Sequence, residues 1–178
     1  PGRSVGDDQA MDVGLAFPQM TPGLDRDRVR AWCRAVDDGP FSSISCGERI
    51  TFQNQEMNIT NAAAAALTER VDVFVNLVVL PMHPIPLIAK QIATLDVLSG
   101  GRVTLGVGIG GREHDYRAMG STMDRRHQRL DDGVAELRSL WAGGAAFEGA
   151  DPTGPARVQD GGPPILAGAM GPKALARA

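Results

Sequence analysis

The sequence has little of what builds a covalent or metal-centred scaffold. Its 178 residues include two cysteines and three histidines. Two thiols make neither a disulfide framework nor a zinc site, and no His, Cys, Asp and Glu grouping has metal-ligand spacing, so no metal is expected. Cys33 falls in a helical pattern and Cys46 at a strand end, which suits small hydrophobes kept reduced in the cytoplasm. The longest apolar run, Val71 to Met82, is broken by Asp72, Asn76 and Pro81 and is too short and too polar to span a membrane. Residues 1–10 lack the apolar stretch of a secretory signal and read as a disordered leader. No charge of one sign prevails. The 18 basic and 21 acidic side chains, a net charge of −3, are interspersed, which excludes a basic footprint for nucleic acid or anionic lipid. There is no nucleophile elbow and no phosphate-binding lysine motif. What remains is a globular domain with a core of its own.

Glycine and proline, 22 and 12 residues, are plentiful and gather after position 99, where they mark loops. Five short apolar runs read as strands: Met11–Phe17, Phe41–Ser45, Val71–Leu80, Val103–Ile109 and Ile165–Ala169. They do not alternate cleanly, as expected of strands buried on both faces. Between them lie helical stripes. Val29, Trp32, Cys33 and Val36 form one, Ile85, Ile88, Ile92 and Leu95 another, and Leu130, Val134, Leu137 and Trp141 a third within a helix over 124–142. A further helix over Ile59–Arg70 carries five consecutive alanines, and Gly100 is placed to terminate the helix before it. The strand starts near 11, 41, 71, 103 and 165 are separated by 30, 30, 32 and 62 residues. This is the period of βα units with right-handed crossovers, the last carrying a Gly/Pro-rich insert at 143–164. Such an α/β chain is either a doubly wound parallel sheet or part of a (β/α)8 TIM barrel. A whole barrel takes about 250 residues, so residues 11–178 are expected to be the N-terminal part of one such domain, about β1–β5. A sheet of that kind leaves edges to cover, so pairing with another chain, in a homodimer for example, is expected.

Gly106, Gly108 and Gly111 fit G-x-G-x-x-G, but after the fourth strand rather than the first, and the acids at the matching distance, Asp131 and Asp132, lie in a helical pattern. That disfavours a dinucleotide-binding dehydrogenase. Glycines at a parallel strand end still let backbone approach an anion or a flat ring, or simply make a tight turn. Glu48 and Arg49 follow the second strand, as a polar site or an ion pair. Arg112 to Tyr116, five polar residues, read as a loop above the fourth strand. His83, between Met82 and Pro84, reads as structural, and His127 as solvated.

Four stretches together resemble the luciferase-like monooxygenase superfamily: Phe41 to Ile50, Leu87 to Gly108, Asp115 to Gly120, and Gly162 to Pro172. The second is the most specific, a lysine-bearing helix followed by Leu-Asp-x-Leu-Ser-Gly-Gly-Arg and a Gly-x-Gly strand end. The deazaflavin-dependent branch is the closest in pattern. The resemblance implies a bacterial-luciferase-type (β/α)8 barrel. It also implies a cofactor, coenzyme F420 or alternatively FMN, at the C-terminal face of the strands. It implies hydride transfer to or from a small organic substrate, or oxygen activation if the cofactor is reduced FMN. Glu48 and Arg49 match the acid-histidine pair that ends the second strand in that branch, though the histidine is not kept. Asn76-Leu77 matches a bulge with a non-prolyl cis peptide that backs the ring. Gly108, Ile109, Gly110 and Gly111 match the ring edge or phosphate tail. Gly168, Ala169 and Gly171 match a phosphate turn, in which Pro172 has no N–H to give. His114, Tyr116 and Arg112 fall to the substrate side, with Glu48, Arg49, His114 and Tyr116 as the catalytic candidates. Gly110→Val is then expected to cut cofactor affinity about tenfold while sparing the fold. A non-catalytic cofactor-binding or assembly fragment of such a barrel is the alternative.

Overall fold

The computed structural model describes residues 11–168. Residues 1–10, expected to be a leader, and the candidates Ala169 and Gly171 lie outside the described residues. The elements, in order, are β1 (Gly14–Ala16), α1 (Arg26–Asp38), β2 (Ser43–Cys46), α2 (Met57–Leu67), β3 (Asp72–Val79), α3 (Ile85–Ser99), β4 (Val103–Gly108), α4 (Glu113–Ala118), α5 (Arg126–Trp141) and β5 (Ile165–Ala167). A one-turn 3-10 helix, Leu80–Met82, joins β3 to α3.

Two helix starts and one helix end have a clear local reason. The Asp25 carboxylate accepts from the Arg28 amide at 2.9 Å and caps α1, and Glu56 does the same for Ile59 at 2.7 Å in α2. Gly100, at φ 67°, ends α3 in the left-handed conformation that favours glycine. The alanine run of α2 buries Ala64 and Ala65 completely, which lets the helix lie close against β3 and α3. Gly133 in α5 serves the same purpose, since a β-carbon there would stand 2.9 Å from Ile85 Cδ1. The α5 stripe is Leu130, Gly133, Leu137, Leu140 and Trp141, with Val134 partly buried.

All four strand pairings are parallel and the spatial order is β1-β2-β3-β4-β5. Successive helices pack on one another, α1 on α2, α2 on α3 and α3 on α5. They therefore form one layer on one face of the sheet. A doubly wound sheet reverses its strand order and carries helices on both faces. The observed winding is that of consecutive βα units in a barrel wall.

The strands alternate after all. Ile44, Val73 and Val103 are in register and buried under the helices, as are Cys46, Val75 and Leu105. The intervening row, Ala16, Ser45, Phe74 and Thr104, faces the other way and is made of small, polar or half-buried residues. The insert returns to the sheet at Asp96, a buried carboxylate of α3 that accepts from the amides of Val158 and Gln159 at 2.6 and 3.1 Å and from Gln159 Nε2 at 2.9 Å. This clamp lies at the end of α3 that feeds β4, opposite the strand C-termini.

Candidate functional site

The C-terminal ends of β2, β3 and β4 meet at an irregularity in the central strand. The β3–β4 register shifts between Val75 and Val78, where three residue steps on β3 match two on β4. Within this bulge the Asn76–Leu77 peptide is cis. Bulge and cis bond both stand where the family resemblance places them. Neighbouring glycines make room for the displaced backbone. A β-carbon at Gly106 would lie 2.8 Å from the Val75 carbonyl oxygen, and one at Gly47 would collide with that of Asn76. Leu77 then lies flat across β4 towards β5. A β-carbon on Gly108 would stand 3.0 Å from Leu77 Cδ1, and one on Gly168 3.1 Å from Leu77 Cδ2. Gly108 and Gly168, read from sequence as points of cofactor approach, are thus points where a neighbouring side chain approaches.

The loop after β4 is held from its carbonyl side. The Tyr116 hydroxyl donates to the Ile109 carbonyl at 2.6 Å, and Arg126 Nη1 donates to the Gly110 carbonyl at 3.2 Å. Among the described residues, the amides of Gly110, Gly111 and Arg112 donate to no protein group. Gly110 has φ +60°, and a β-carbon on it would lie 2.6 Å from Val79 Cγ1, so it answers both to turn geometry and to packing. Gly111 is exposed and a β-carbon on it would have no heavy atom within 4 Å. Tyr116 departs from its expected place on the substrate side. It is 1% exposed, and burial pushes its phenol above the usual range, so it remains a protonated donor that fixes the loop. The segment read as a polar loop is in fact the short helix α4, which buries Asp115 and Tyr116 and leaves His114 exposed, with no hydrogen bond or ion pair among the described residues.

Glu48 and Arg49 diverge. Glu48 turns inward: its Oε2 accepts from the Val79 amide at 2.7 Å, and its Oε1 stands 2.7 Å from His83 Nε2. The Glu48 and His83 side chains are 3% and 9% exposed. Arg49 turns outward, its guanidinium 5.2 Å from the Phe52 ring centroid and its Nη1 3.8 Å from Met20 Sδ, with no carboxylate within ion-pair reach among the described residues. Across the end of β3, the Asp115 carboxylate accepts from the Thr51 amide at 2.9 Å, from the Thr51 hydroxyl, and from Arg112 Nε at 3.1 Å. Burial raises the Asp115 pKa, but the Thr51 bonds and the Arg112 charge outweigh it and hold the carboxyl below its ordinary range. His83, Thr51 and Asp115 were not among the sequence candidates. The one signal for His83 was a histidine just past the end of a central parallel strand.

Neither thiol is chemically available. Burial pushes Cys33 up to about 11 and Cys46 to about 12. Among the described residues no cluster of His, Cys, Asp and Glu could hold a metal, and no helix is long and apolar enough to cross a membrane. A groove of about 640 Å³ lies elsewhere, between α1 and α2, where Leu24, Val29, Ile59, Ala63 and Leu67 line it together with Asp25, Arg26, Arg30, Gln55 and Thr60. It is walled by the helix layer, away from the C-terminal ends of the strands, so it does not displace them as the candidate site.

Three known proteins frame this geometry. The crystal structure of monooxygenase RslO1 from Streptomyces bottropensis superposes with a TM-score of 0.77 at 24% identity, over 88% of this chain and 53% of that one. The coenzyme F420 dependent tetrahydromethanopterin reductase from Methanopyrus kandleri superposes at 0.64 with 19% identity, over 93% and 52%. The FMNH(2)-dependent dimethylsulfone monooxygenase of Pseudomonas putida is 33% identical over 92 residues, 50% of this chain and 25% of that enzyme. The chain spans about half the length of the solved chains it superposes on. The model of the luciferase-like monooxygenases matches residues 12–178. With its parallel βα winding and the bulged third strand, the chain belongs to the luciferase-like monooxygenase family.

Proposed function

We propose that this chain holds the ring of a flavin-type cofactor against the C-terminal ends of β3 and β4, in an oxidoreductase that passes hydride between that cofactor and a small organic substrate. The observation that carries the reading is the coincidence of two features at one place. The bulge at Asn76-Leu77 offers backbone on one side, and on the other the Gly110-Gly111 loop has amides free of protein partners and an open β-carbon position at Gly111. A cradle of that kind accepts a flat ring or its anionic tail.

Bound there, the cofactor supplies the hydride, and with FMN also the activation of oxygen. The chain binds and orients. Asn76 and Leu77 back the ring. The amides of Gly110, Gly111 and Arg112 meet its edge or phosphate, and Arg126, already on the Gly110 carbonyl, adds positive charge beside them. Ala169 and Gly171 fall to the phosphate tail. Arg49, with no carboxylate within ion-pair reach among the described residues, falls to the substrate side. Coenzyme F420 is favoured by the resemblance to the deazaflavin-dependent branch. FMN is the second reading, favoured by the Pseudomonas relative, whose name states FMNH(2) dependence.

Titrating the purified chain with oxidised F420 and, separately, with FMN tests this by absorbance. A saturating shift of the visible band with one of them is expected. No shift with either removes the enzyme reading and leaves a barrel module without a ring cofactor.

A further inference from the structure

The Glu48–His83 contact joins two residues 35 positions apart in sequence, both nearly withdrawn from water, at the strand ends where the proposed cofactor lies. The 2.7 Å separation of Glu48 Oε1 and His83 Nε2 is that of a hydrogen bond between the two side chains. The other carboxylate oxygen is already taken by the Val79 amide. Glu48 therefore bridges the last residue of β3 to the turn that follows it, and anchors both to the end of β2. Val79 lies two residues beyond the bulge, and its side chain supports Gly110, whose β-carbon position it crowds at 2.6 Å. One carboxylate thus fixes both walls of the cradle, the bulged end of β3 and, through Val79, the loop after β4.

We propose that Glu48 and His83 act together as a positioning pair that holds the Asn76–Val79 backbone in register with the cofactor ring. Resting on the reading of the site given above, this moves Glu48 from the catalytic candidates to a positioning role and gives His83 a function. His83 touches neither ring nor substrate in this role; it acts through Glu48 and the backbone that Glu48 holds. Conformation-setting contacts of this kind determine whether a site is present or loosened by a fraction of an ångström.

Two substitutions separate positioning from bulk stability. His83→Leu keeps volume but removes the hydrogen-bonding nitrogen, and His83→Gln keeps an N–H at a reach close to that of Nε2. With whichever of F420 and FMN the native chain binds, His83→Leu is expected to weaken binding about tenfold or more, and to move the bound cofactor's visible band. His83→Gln is expected to restore both. Amide exchange at Val79, followed without cofactor, is expected to quicken in His83→Leu and to return to the native rate in His83→Gln. Native-like affinity, band position and Val79 exchange in His83→Leu overturn the proposal, as does a loss that Gln does not rescue. If the native chain binds neither cofactor, the functional reading fails and the cofactor role of the pair with it. Val79 exchange then still reports whether the clamp exists.

Discussion

Arg102→Met is expected to lower the melting temperature by roughly 6–12 °C for a chain of this size. Arg102 stands at the entrance to β4, at the pole opposite the candidate site. Its Nε donates to the Ser99 carbonyl at 2.8 Å, its Nη1 to Thr68 Oγ1 at 3.1 Å and to the Val71 carbonyl, and its Nη2 to the carbonyls of Ala65 and Thr68 at 3.1 and 2.7 Å. Those acceptors are the end of α2, the entrance to β3 and the end of α3, so a single planar guanidinium ties three elements. Helix C-termini leave carbonyls without intrahelical partners, and a multidentate arginine satisfies them as lysine cannot. Methionine keeps the length and the apolar stem but none of the donors. The carbonyls it abandons regain only part of their bonding from water, which sets the loss at about 3 kcal/mol. A thermal melt by circular dichroism reads the change directly. A shift under about 2 °C contradicts the assigned role. Cofactor affinity measured well below the melt is expected to be native, because nothing in this clamp reaches the strand C-termini.

The second large effect separates two adjacent glycines. Gly110→Val is expected to destabilise by about 3 kcal/mol, since a β-branched residue in the left-handed region is strained. Its β-carbon would also stand 2.6 Å from Val79 Cγ1, on a stiff side chain with little freedom to turn away. The sequence-based expectation that this variant spares the fold is therefore corrected by the geometry. Gly111→Val makes the cleaner test. Its φ lies outside the left-handed region and no heavy atom stands within 4 Å of the β-carbon position, so its melt is expected to stay within about 0.5 kcal/mol of native. If the cofactor occupies the open side of the loop, the valine collides with it and affinity falls about tenfold, or 1.4 kcal/mol. Melting curves and cofactor titrations on both variants give the two quantities. Native affinity in Gly111→Val contradicts the placement of the cofactor at this loop.

Most of the fold was legible because each βα unit carries its own apolar stripe and turn signal. The strands are found within a few residues, though β1 is only Gly14–Ala16 and α2 begins two residues earlier, at Met57. The choice between doubly wound sheet and barrel wall was legible only through the family resemblance, because it depends on which face each helix covers, and an apolar stripe does not say that. Helix α4 was missed because it has six residues and a polar sequence, and only Asp115 and Tyr116 turn inward. The break at Asn76 was legible as an amide in the middle of a β-branched run. The roles around it were less so. A glycine that admits a ligand and a glycine that admits Leu77 look identical in sequence, and Gly108 and Gly168 prove to be of the second kind. The Glu48–His83 pair is a tertiary contact with no local trace, so a histidine that read as structural is in contact with the leading acidic candidate.

Amide hydrogen exchange of the native chain with and without saturating cofactor tests the central claim most directly, that a flavin-type ring lies at the C-terminal ends of β3 and β4. Slower exchange is expected at residues 76–79 and 109–112, with none at the groove formed by residues 24–30 and 59–67. Protection confined to that groove, or cofactor binding that leaves the strand ends exchanging as before, contradicts it.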